Sequence, residues 1–221
     1  MERPHYEGLF KAFAEKANPE LGRQMSAYMR GQFPFLGLPT PVRRQLSREF
    51  LKSASSGGSP DWDFIRRCWE KPPREFQYLG VDYLSSLKDT LTPRDIPRLK
   101  ELILAKSWWD TIDGLDRIAG HIALSWPRVN RTLLEWSRGE NIWLRRVAID
   151  HQLGRKEKTD PGLLEEIIKN NLGQKDFFIR KAIGWSLREY SKTNPSWVRD
   201  FLARHAGALS PLSRREGGKY L

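Results

Sequence analysis

Cysteine and histidine are scarce in this sequence of 221 residues. The one cysteine, Cys68, excludes an internal disulfide and a cysteine-rich zinc site, and its neighbours predict a small buried residue rather than a nucleophile. The four histidines lack the spacing of metal ligands: His5, His121, His151 and His205. We therefore expect neither a metal ion nor another cofactor.

Long apolar segments are missing as well. No run approaches the roughly 18 apolar residues that a membrane-spanning helix needs. The N-terminal residues MERPH are not followed by the apolar core of a signal peptide. The sequence therefore predicts a soluble, cytoplasmic protein with no signal peptide.

Acidic residues are outnumbered by basic ones. The chain has 27 Asp and Glu against 38 Lys and Arg, which gives a formal net charge of +11 and a pI near 9.9. This charge favours a polyanionic partner, either a nucleic acid or an anionic membrane surface.

Strand signals are almost absent, and apolar residues recur at the three- and four-residue spacing of helices. Helix pairs repeat every 33 to 36 residues in the second half of the chain. This period predicts an all-α fold, an α-solenoid of about six helical pairs with a concave basic groove. We expect one continuous domain over residues 1–209 and a loosely ordered basic tail over residues 210–221.

Two second helices of these pairs have similar sequences. LRRVAI at residues 144–149 matches FIRKAI at residues 178–183 with a shift of 34 residues, which aligns Arg146 with Arg180 and His151 with Trp185. Side chains at matching positions of such repeats converge on one groove. The polar and basic groups predicted to line it are Arg43, Arg44, Gln77, Tyr78, Arg145, Arg146, Arg180, Lys181 and Arg188. The alternative is that these charges are simply solvated. Trp126, Trp136, Trp143 and Trp197 lie at apolar-periodic positions and are assigned to the core.

The most informative stretch is SWWDTIDGLDRI at residues 107–118. In a helix, Trp109 and Asp113 are four residues apart, so an indole and a carboxylate leave the same face and can hold a cationic group between them. The alternative is structural: Trp108 packs in a core, Asp110 or Asp113 caps a helix, and Asp116 pairs with a base such as Arg117.

A carboxylate in a basic groove needs a positively charged target, because it repels DNA phosphates. Alkylation of a purine at N3 or N7 makes the base cationic and weakens its N-glycosidic bond. Cleavage of that bond leaves positive charge on the sugar, which a nearby carboxylate stabilises. No strong general acid is required, since the base departs neutral.

At these residues the sequence resembles the AlkD family of alkylpurine DNA glycosylases, which are built from HEAT-like helical repeats. The similar blocks follow the family order and span almost the whole chain: residues 32–44, 74–78, 107–113, 143–149 and 177–190. The resemblance implies hydrolytic removal of cationic alkylpurines such as 3-methyladenine and 7-methylguanine from double-stranded DNA. A monomer suffices for this reaction, and we expect DNA binding to associate it with the nucleoid. The resemblance also implies excision without base flipping and tolerance of bulky adducts.

The resemblance places the family's catalytic aspartate at Asp113 and its two DNA-contacting tryptophans at Trp109 and Trp185. Its groove arginine falls on Arg146, with Arg145 as the alternative, and Tyr28 is expected to contribute an aromatic contact. The competing hypothesis is a non-catalytic HEAT-repeat module that binds distorted or branched DNA. A nuclease is disfavoured, because Asp110, Asp113 and Asp116 on one helix do not point to one place.

Overall fold

A computed structural model of the chain describes residues 6–55 and 58–221. Residues 1–5, which entered the search for a signal peptide, lie outside this part. The described chain is helical throughout, with no strand, which confirms the predicted all-α class. Its α-helices are α1 (Tyr6–Glu15), α2 (Pro19–Tyr28), α3 (Thr40–Ser55), α4 (Trp62–Glu70), α5 (Arg74–Ser86), α6 (Ile96–Leu104), α7 (Trp109–Ser125), α8 (Val129–Arg138), α9 (Ile142–Asp150), α10 (Pro161–Lys169), α11 (Phe177–Ser191), α12 (Pro195–Arg204) and α13 (Pro211–Gly217).

Side-chain caps fix where many of these helices begin. A side-chain oxygen of each cap accepts hydrogen bonds from backbone N–H groups of the first turn, which otherwise lack partners. These caps are Asn18, Asp61, Asn141, Asp160, Asp176, Asn194 and Ser210. A proline follows directly at four of them, where its missing N–H costs nothing. The Pro, Asn and Ser breaks in the sequence therefore mark real helix starts.

The chain divides into two compact units, one ending at Leu91 and one running from Thr92 to Leu221. The division does not test the predicted single domain over residues 1–209, which stays a prediction. The boundary falls between two short 3₁₀ segments, Lys88–Thr90 and Pro93–Asp95, where the helical pattern is interrupted.

The first unit contains α1 to α5 and an aromatic core. Phe10, Phe64 and Phe76 pack through ring contacts with centroids 5.2 to 5.9 Å apart. The connector before α3 is held by the buried carboxylate of Glu75, which accepts the backbone N–H groups of residues 36 to 38 at 2.8 to 3.1 Å. The Gly- and Pro-rich connector is thus tied to α5.

The second unit contains the repeated pairs. The helices α7, α9, α11 and α13 contact one another in succession, while α6 packs on α7 and α9, α8 packs on α9 and α10, and α12 packs on α11. Gly120 allows α7 and α9 to approach closely, because a Cβ atom there would lie 2.0 Å from the carbonyl oxygen of His151. Stacked helical pairs of this kind are those of an α-solenoid, as the sequence predicted.

The register of the last repeats differs from the predicted alignment by one residue. The caps of α9 and α11, Asn141 and Asp176, are 35 residues apart rather than 34. Accordingly, Arg145 and Arg180 occupy equivalent positions, each donating from Nε to a backbone carbonyl six residues earlier. The alignment of Arg146 with Arg180 was therefore wrong, because the two arginine-containing blocks look equally similar in either register.

The C-terminal segment is also more ordered than predicted. Instead of a loosely ordered tail, Pro211–Gly217 forms α13, which begins at the Ser210 cap and packs against α11. Its Glu216 accepts hydrogen bonds from two basic residues of α11. Among the described helices, none is both long and apolar enough to cross a lipid bilayer.

Candidate active site

Asp113 and Arg146 form the centre of the candidate site, in the second unit. Asp113 lies in the second turn of α7, and Arg146 in the second turn of α9. Nε and Nη2 of Arg146 both donate to Oδ1 of Asp113, at 2.9 and 2.8 Å, and Nη1 donates to the carbonyl of Phe178 at 2.9 Å. Arg146 is 3% exposed, whereas 21% of the Asp113 side chain is accessible. A ligand can therefore reach Asp113, with Oδ2 as the oxygen not used by Arg146.

Two further carboxyl groups, those of Asp116 and Asp150, lie deeper in the same cluster. Asp116 follows Asp113 by one turn of α7, and Asp150 follows Arg146 by one turn of α9; both are fully buried. Oδ2 of Asp150 lies 3.7 Å from Nη2 of Arg146, and Oδ1 accepts a hydrogen bond from Ser186 Oγ at 3.0 Å. One oxygen from each of the three carboxyl groups lies within 4.8 Å of the others. The cluster is therefore acidic overall, although the chain is basic.

Burial and charge set the protonation states of this cluster. Burial raises the pKa of Asp113 above its usual range, and Arg146 opposes the shift. Burial, and then the charges of Asp150 and Asp113, raise the pKa of Asp116 well above its usual range. Its two buried oxygens also have no hydrogen-bond partner among the described residues, and an ionised carboxylate without partners is costly to bury, so we take Asp116 to be protonated near neutral pH. Burial raises the pKa of Asp150 to about 6, again against the effect of Arg146.

The same carboxylates keep Arg146 charged. Burial by itself would lower the pKa of the guanidinium, but the charges of Asp150 and Asp113 outweigh burial and raise it. Near neutral pH the cluster thus carries two carboxylates and one guanidinium, a net charge of −1.

One aromatic ring lies over Arg146. The Trp185 ring, from α11, lies with its centroid 6.0 Å from the guanidinium carbon. Both Trp185 and Trp109 are partly exposed, and Trp109 is four residues before Asp113 on α7. Trp108 instead packs with the rings of Trp143 and Phe178 at centroid distances of 5.8 and 5.2 Å. The structural alternative therefore holds for Trp108.

The structural alternative assigned helix capping to Asp110 or Asp113 and pairing with Arg117 to Asp116. The described part of the structure does not show these contacts. Asp110 lies in the first turn of α7, whose N-cap position is taken by Trp108 without a side-chain hydrogen bond. Asp116 is fully buried and its two oxygens make no hydrogen bond in the described structure, while Arg117 is exposed. The expected Asp116–Arg117 surface pair is thus absent from the described ion pairs.

Two arginines predicted to contact DNA have hydrogen-bond partners within the protein. Arg145 donates to the carbonyl of Gly139 and, at 3.2 Å, to the side chain of Asn171. Arg180 donates to the carbonyl of Gln174 at 2.8 Å. Of the two candidates for the residue beside Asp113, the structure places Arg146 there, whereas Arg145, also on α9, donates to carbonyls that precede this helix.

Lys181 and Arg188 lie on α11 and share one acidic partner. Their side chains donate to Oε1 and Oε2 of Glu216, each at 2.8 Å. The hydrogen bond and charge of Lys181 lower the pKa of Glu216, so this carboxylate is ionised and offsets part of the basic charge. A DNA contact by either cation would compete with Glu216.

The remaining predicted contacts lie in the first unit. Tyr28 is 72% exposed and Arg44 is exposed. Arg43 is buried, pairs with Asp82 and lies over the Tyr78 ring at 5.0 Å from its centroid.

Gln77, which was predicted to line the groove, is fully buried. Its Nε2 donates to the carbonyls of Cys68 and Lys71 at 2.6 and 2.9 Å. The prediction failed because Gln77 was classified by side-chain polarity, whereas its position in α5 faces the core. Gln77 therefore ties α5 to the end of α4 and has no surface to offer DNA.

The acidic cluster invites comparison with a metal site, because three carboxyl groups converge. The guanidinium of Arg146 already binds Oδ1 of Asp113 and faces Asp150 through the same Nη2 atom. A cation would compete with Arg146 for these oxygens. We therefore assign the cluster to Arg146 rather than to a metal ion.

Sequence reasoning missed Asp150 and Ser186. Asp150 is four residues after Arg146, a spacing at which oppositely charged side chains of a helix meet, and that signal was available in the sequence. Ser186 directly follows Trp185 but carries no charge or spacing that would reveal its partner on another helix. Together they link α9 and α11 next to the predicted site.

Comparison with known proteins adds the family. A family model described as "DNA alkylation repair enzyme" matches residues 9–221. Among solved structures, the chain is similar to a protein described as "Predicted DNA alkylation repair enzyme from Enterococcus faecalis", at 38% identity and a TM-score of 0.86, over 93% of this chain and 96% of that chain. A search of curated proteins finds no match. Because the family model covers nearly the whole sequence and the resemblance to AlkD-like proteins agrees with it, the chain belongs to the DNA alkylation repair enzyme family.

Proposed function

We propose that the protein is a DNA glycosylase that hydrolyses the N-glycosidic bond of cationic alkylated purines. The observation that carries this proposal is the accessible Asp113 carboxylate, held by Arg146 beside Trp185 in a chain with a net charge of +11. The negative cluster would repel a ligand that offers only phosphate groups. A polyanion that contains one positively charged base matches both the basic chain and the acidic cluster.

The reaction transfers charge from the base to the sugar. As the bond between C1′ and the alkylated nitrogen breaks, its electron pair stays with the purine, which leaves neutral. The deoxyribose then carries oxocarbenium-like positive charge, which the Asp113 carboxylate stabilises most strongly in the transition state. Water adds to C1′ and loses one proton, so the products are the free base and an abasic site.

Asp113 can serve this reaction because its carboxylate is fixed and partly desolvated. Two hydrogen bonds from Arg146 to Oδ1 set its orientation, so little reorganisation is needed when the sugar becomes charged. Oδ2 is then available to face C1′ or to orient the attacking water. Arg146 positions Asp113 in this mechanism, and a direct phosphate contact by Arg146 would require it to leave a buried set of partners.

Exposed aromatic and basic side chains supply DNA binding in this proposal. We propose that Trp109 and Trp185, which are partly exposed, pack against the sugar and backbone of the lesion, and that the exposed Arg44 and Tyr28 contact DNA. We propose that a cytoplasmic monomer acts on double-stranded DNA in this way without flipping the base. A base that is never enclosed need not fit a pocket, so 3-methyladenine, 7-methylguanine and bulky N3 or N7 adducts are all candidate lesions.

The charge of the base tests the proposal. Matched duplexes carry either 7-methylguanine, which is cationic, or O6-methylguanine, which is neutral, at one position, and base release is measured with spontaneous loss subtracted. We expect release of the cationic base only. Equal release of both would contradict a mechanism based on base charge.

The second candidate function is a non-catalytic module that binds distorted or branched DNA. The pairing of Lys181 and Arg188 with Glu216 and of Asp113 with Arg146 is compatible with it, since both are stable without a substrate. Binding without release of either base, including from a duplex with a bulky cationic adduct, would support this function over a glycosylase.

A further inference from the structure

Asp150 is buried in the candidate site but has no role in the mechanism above. It is fully buried, and an ionised carboxylate in such a place requires partners. Its partners are Arg146, at 3.7 Å from Oδ2, and Ser186, whose hydroxyl donates to Oδ1 at 3.0 Å. Both partners belong to or adjoin the site, since Arg146 holds Asp113 and Ser186 follows Trp185.

The first consequence concerns charge. Nη2 of Arg146 is 2.8 Å from Asp113 and 3.7 Å from Asp150, so one guanidinium group is shared by two carboxylates. With Asp113 alone, Arg146 would form a neutral pair, and the carboxylate would stabilise a sugar cation weakly. The second carboxylate leaves the group of three with one net negative charge. Such a charge acts strongly at this site because little water screens it.

The second consequence concerns geometry. The single hydroxyl proton of Ser186 is shared between Asp150 Oδ1 and the carbonyl of Ile149, with Oγ at 3.0 and 2.9 Å from them, which links α11 to the end of α9. The neighbouring Trp185 is thereby held near Arg146. One carboxylate oxygen of Asp150 thus faces Arg146, which orients Asp113. The other accepts a hydrogen bond from Ser186, on the helix that carries Trp185.

We propose that Asp150 is a positioning residue for the excision reaction, which shares Arg146 with Asp113, keeps the site negative and anchors the helix that carries Trp185. This inference rests on the proposed function. Asp150 does not touch the DNA, because it is fully buried.

The titration of Asp150 supplies a readout of this role. The charged groups that act on it are Arg146 from α9 and Asp113 and Arg117 from α7, and α11 contributes the Ser186 hydroxyl. The neutral carboxyl group of Asp116 also lies close to Asp150, from α7. Burial raises its pKa to about 6, while Arg146 and Ser186 oppose the shift. The site therefore loses its net negative charge as the pH falls through about 6.

The experiment compares single-turnover excision of 7-methylguanine by the wild type, Asp150→Asn and Asp116→Asn, from about pH 5 to about pH 8. Asp116→Asn is the matched control, because Asp116 is equally buried but protonated, and an amide resembles a protonated carboxyl group. For Asp150→Asn we expect about tenfold slower chemistry at neutral pH with DNA affinity unchanged, and loss of the activity change near pH 6. Asp116→Asn should retain both the wild-type rate and that pH response.

A second variant distinguishes an effect of the Asp150 charge from a loss of folding. Ser186→Ala removes a hydrogen bond that lowers the pKa of Asp150, so the acidic limb of the excision rate should move to higher pH. This test stands even if Asp150→Asn does not fold, which thermal unfolding would show. A purely structural role would lower the rate at every pH and leave the limb in place.

Two results would overturn the inference. One is an Asp150→Asn variant with the wild-type rate and pH profile; the other is an acidic limb that Ser186→Ala does not move. Either is distinct from failure of the proposed function, in which the wild type itself releases no base.

Discussion

Arg146→Ala removes the only positive charge that hydrogen-bonds within the described Asp113–Asp116–Asp150 cluster. The variant loses two charge-assisted hydrogen bonds to Asp113, one to the Phe178 carbonyl, and the ion pair with Asp150. Removing one partner of a buried ion pair costs about 3 to 5 kcal/mol, because a charge is left uncompensated. We expect a loss of that size from the free energy of unfolding at neutral pH, so a domain of ordinary stability should still fold.

The loss should depend on pH. Without Arg146 the native-state pKa values of Asp113 and Asp150 rise further, since Arg146 lowers both in the wild type. The native variant then binds more protons than the native wild type, so its deficit grows as the pH rises and shrinks as the pH falls below about 6. Denaturant unfolding of both proteins at several pH values measures this difference.

Arg145→Ala is the matched control on the same helix. Arg145 is partly buried and donates to two backbone carbonyls and to Asn171, none of which titrates. Its loss should cost about 1 to 2 kcal/mol, with no pH dependence. A deficit for Arg146→Ala that is independent of pH, or no larger than that of Arg145→Ala, would refute the assigned charges of the cluster.

Three further predictions concern residues outside the central pair. Gln77→Ala should lower the free energy of unfolding by about 2 to 3 kcal/mol, because the carbonyls of Cys68 and Lys71 lose their donor, and should leave DNA affinity unchanged; weaker DNA binding by the folded variant would mean that Gln77 does contact DNA. Glu216→Gln should tighten DNA binding about two- to fivefold and steepen the salt dependence, because Lys181 and Arg188 lose the carboxylate that offsets them; unchanged affinity would place these cations away from DNA. Asp116→Asn should stabilise the fold at neutral pH, because the native pKa of Asp116 is raised and folding must protonate it; this gain should vanish as the pH falls to about 4, and a destabilised variant would contradict a protonated Asp116.

The architecture of this protein was accessible from the sequence because helices, caps and repeats are local signals. Asn141 and Asp176 begin their helices as side-chain caps, and the apolar spacing between breaks predicts the helices that follow. The register that aligns one repeat with the next was harder to predict from the sequence. A 34-residue shift and a 35-residue shift both superpose basic and apolar positions, and only the caps and the Arg145 and Arg180 hydrogen bonds decide between them.

The candidate site was partly accessible for a similar reason. Trp109 and Asp113 share a helical face by spacing alone, and the family resemblance indicated Trp185. Arg146 was preferred to Arg145 through the 34-residue repeat alignment, which the structure contradicts. Burial was not accessible, because it depends on which helices pack together. Gln77 and Arg43 look like surface residues but are buried, whereas Trp126, assigned to the core, is 43% exposed beside Arg128.

The most direct measurement of the central claim is release of methylated purines from alkylated duplex DNA by the wild type and by Asp113→Asn at matched concentration. The amide is nearly isosteric with the carboxylate and removes the negative charge that should stabilise the sugar cation. We expect the wild type to release base and the variant to lose excision by at least about a hundredfold while it still binds DNA. Full activity of Asp113→Asn would contradict the role assigned to this carboxylate.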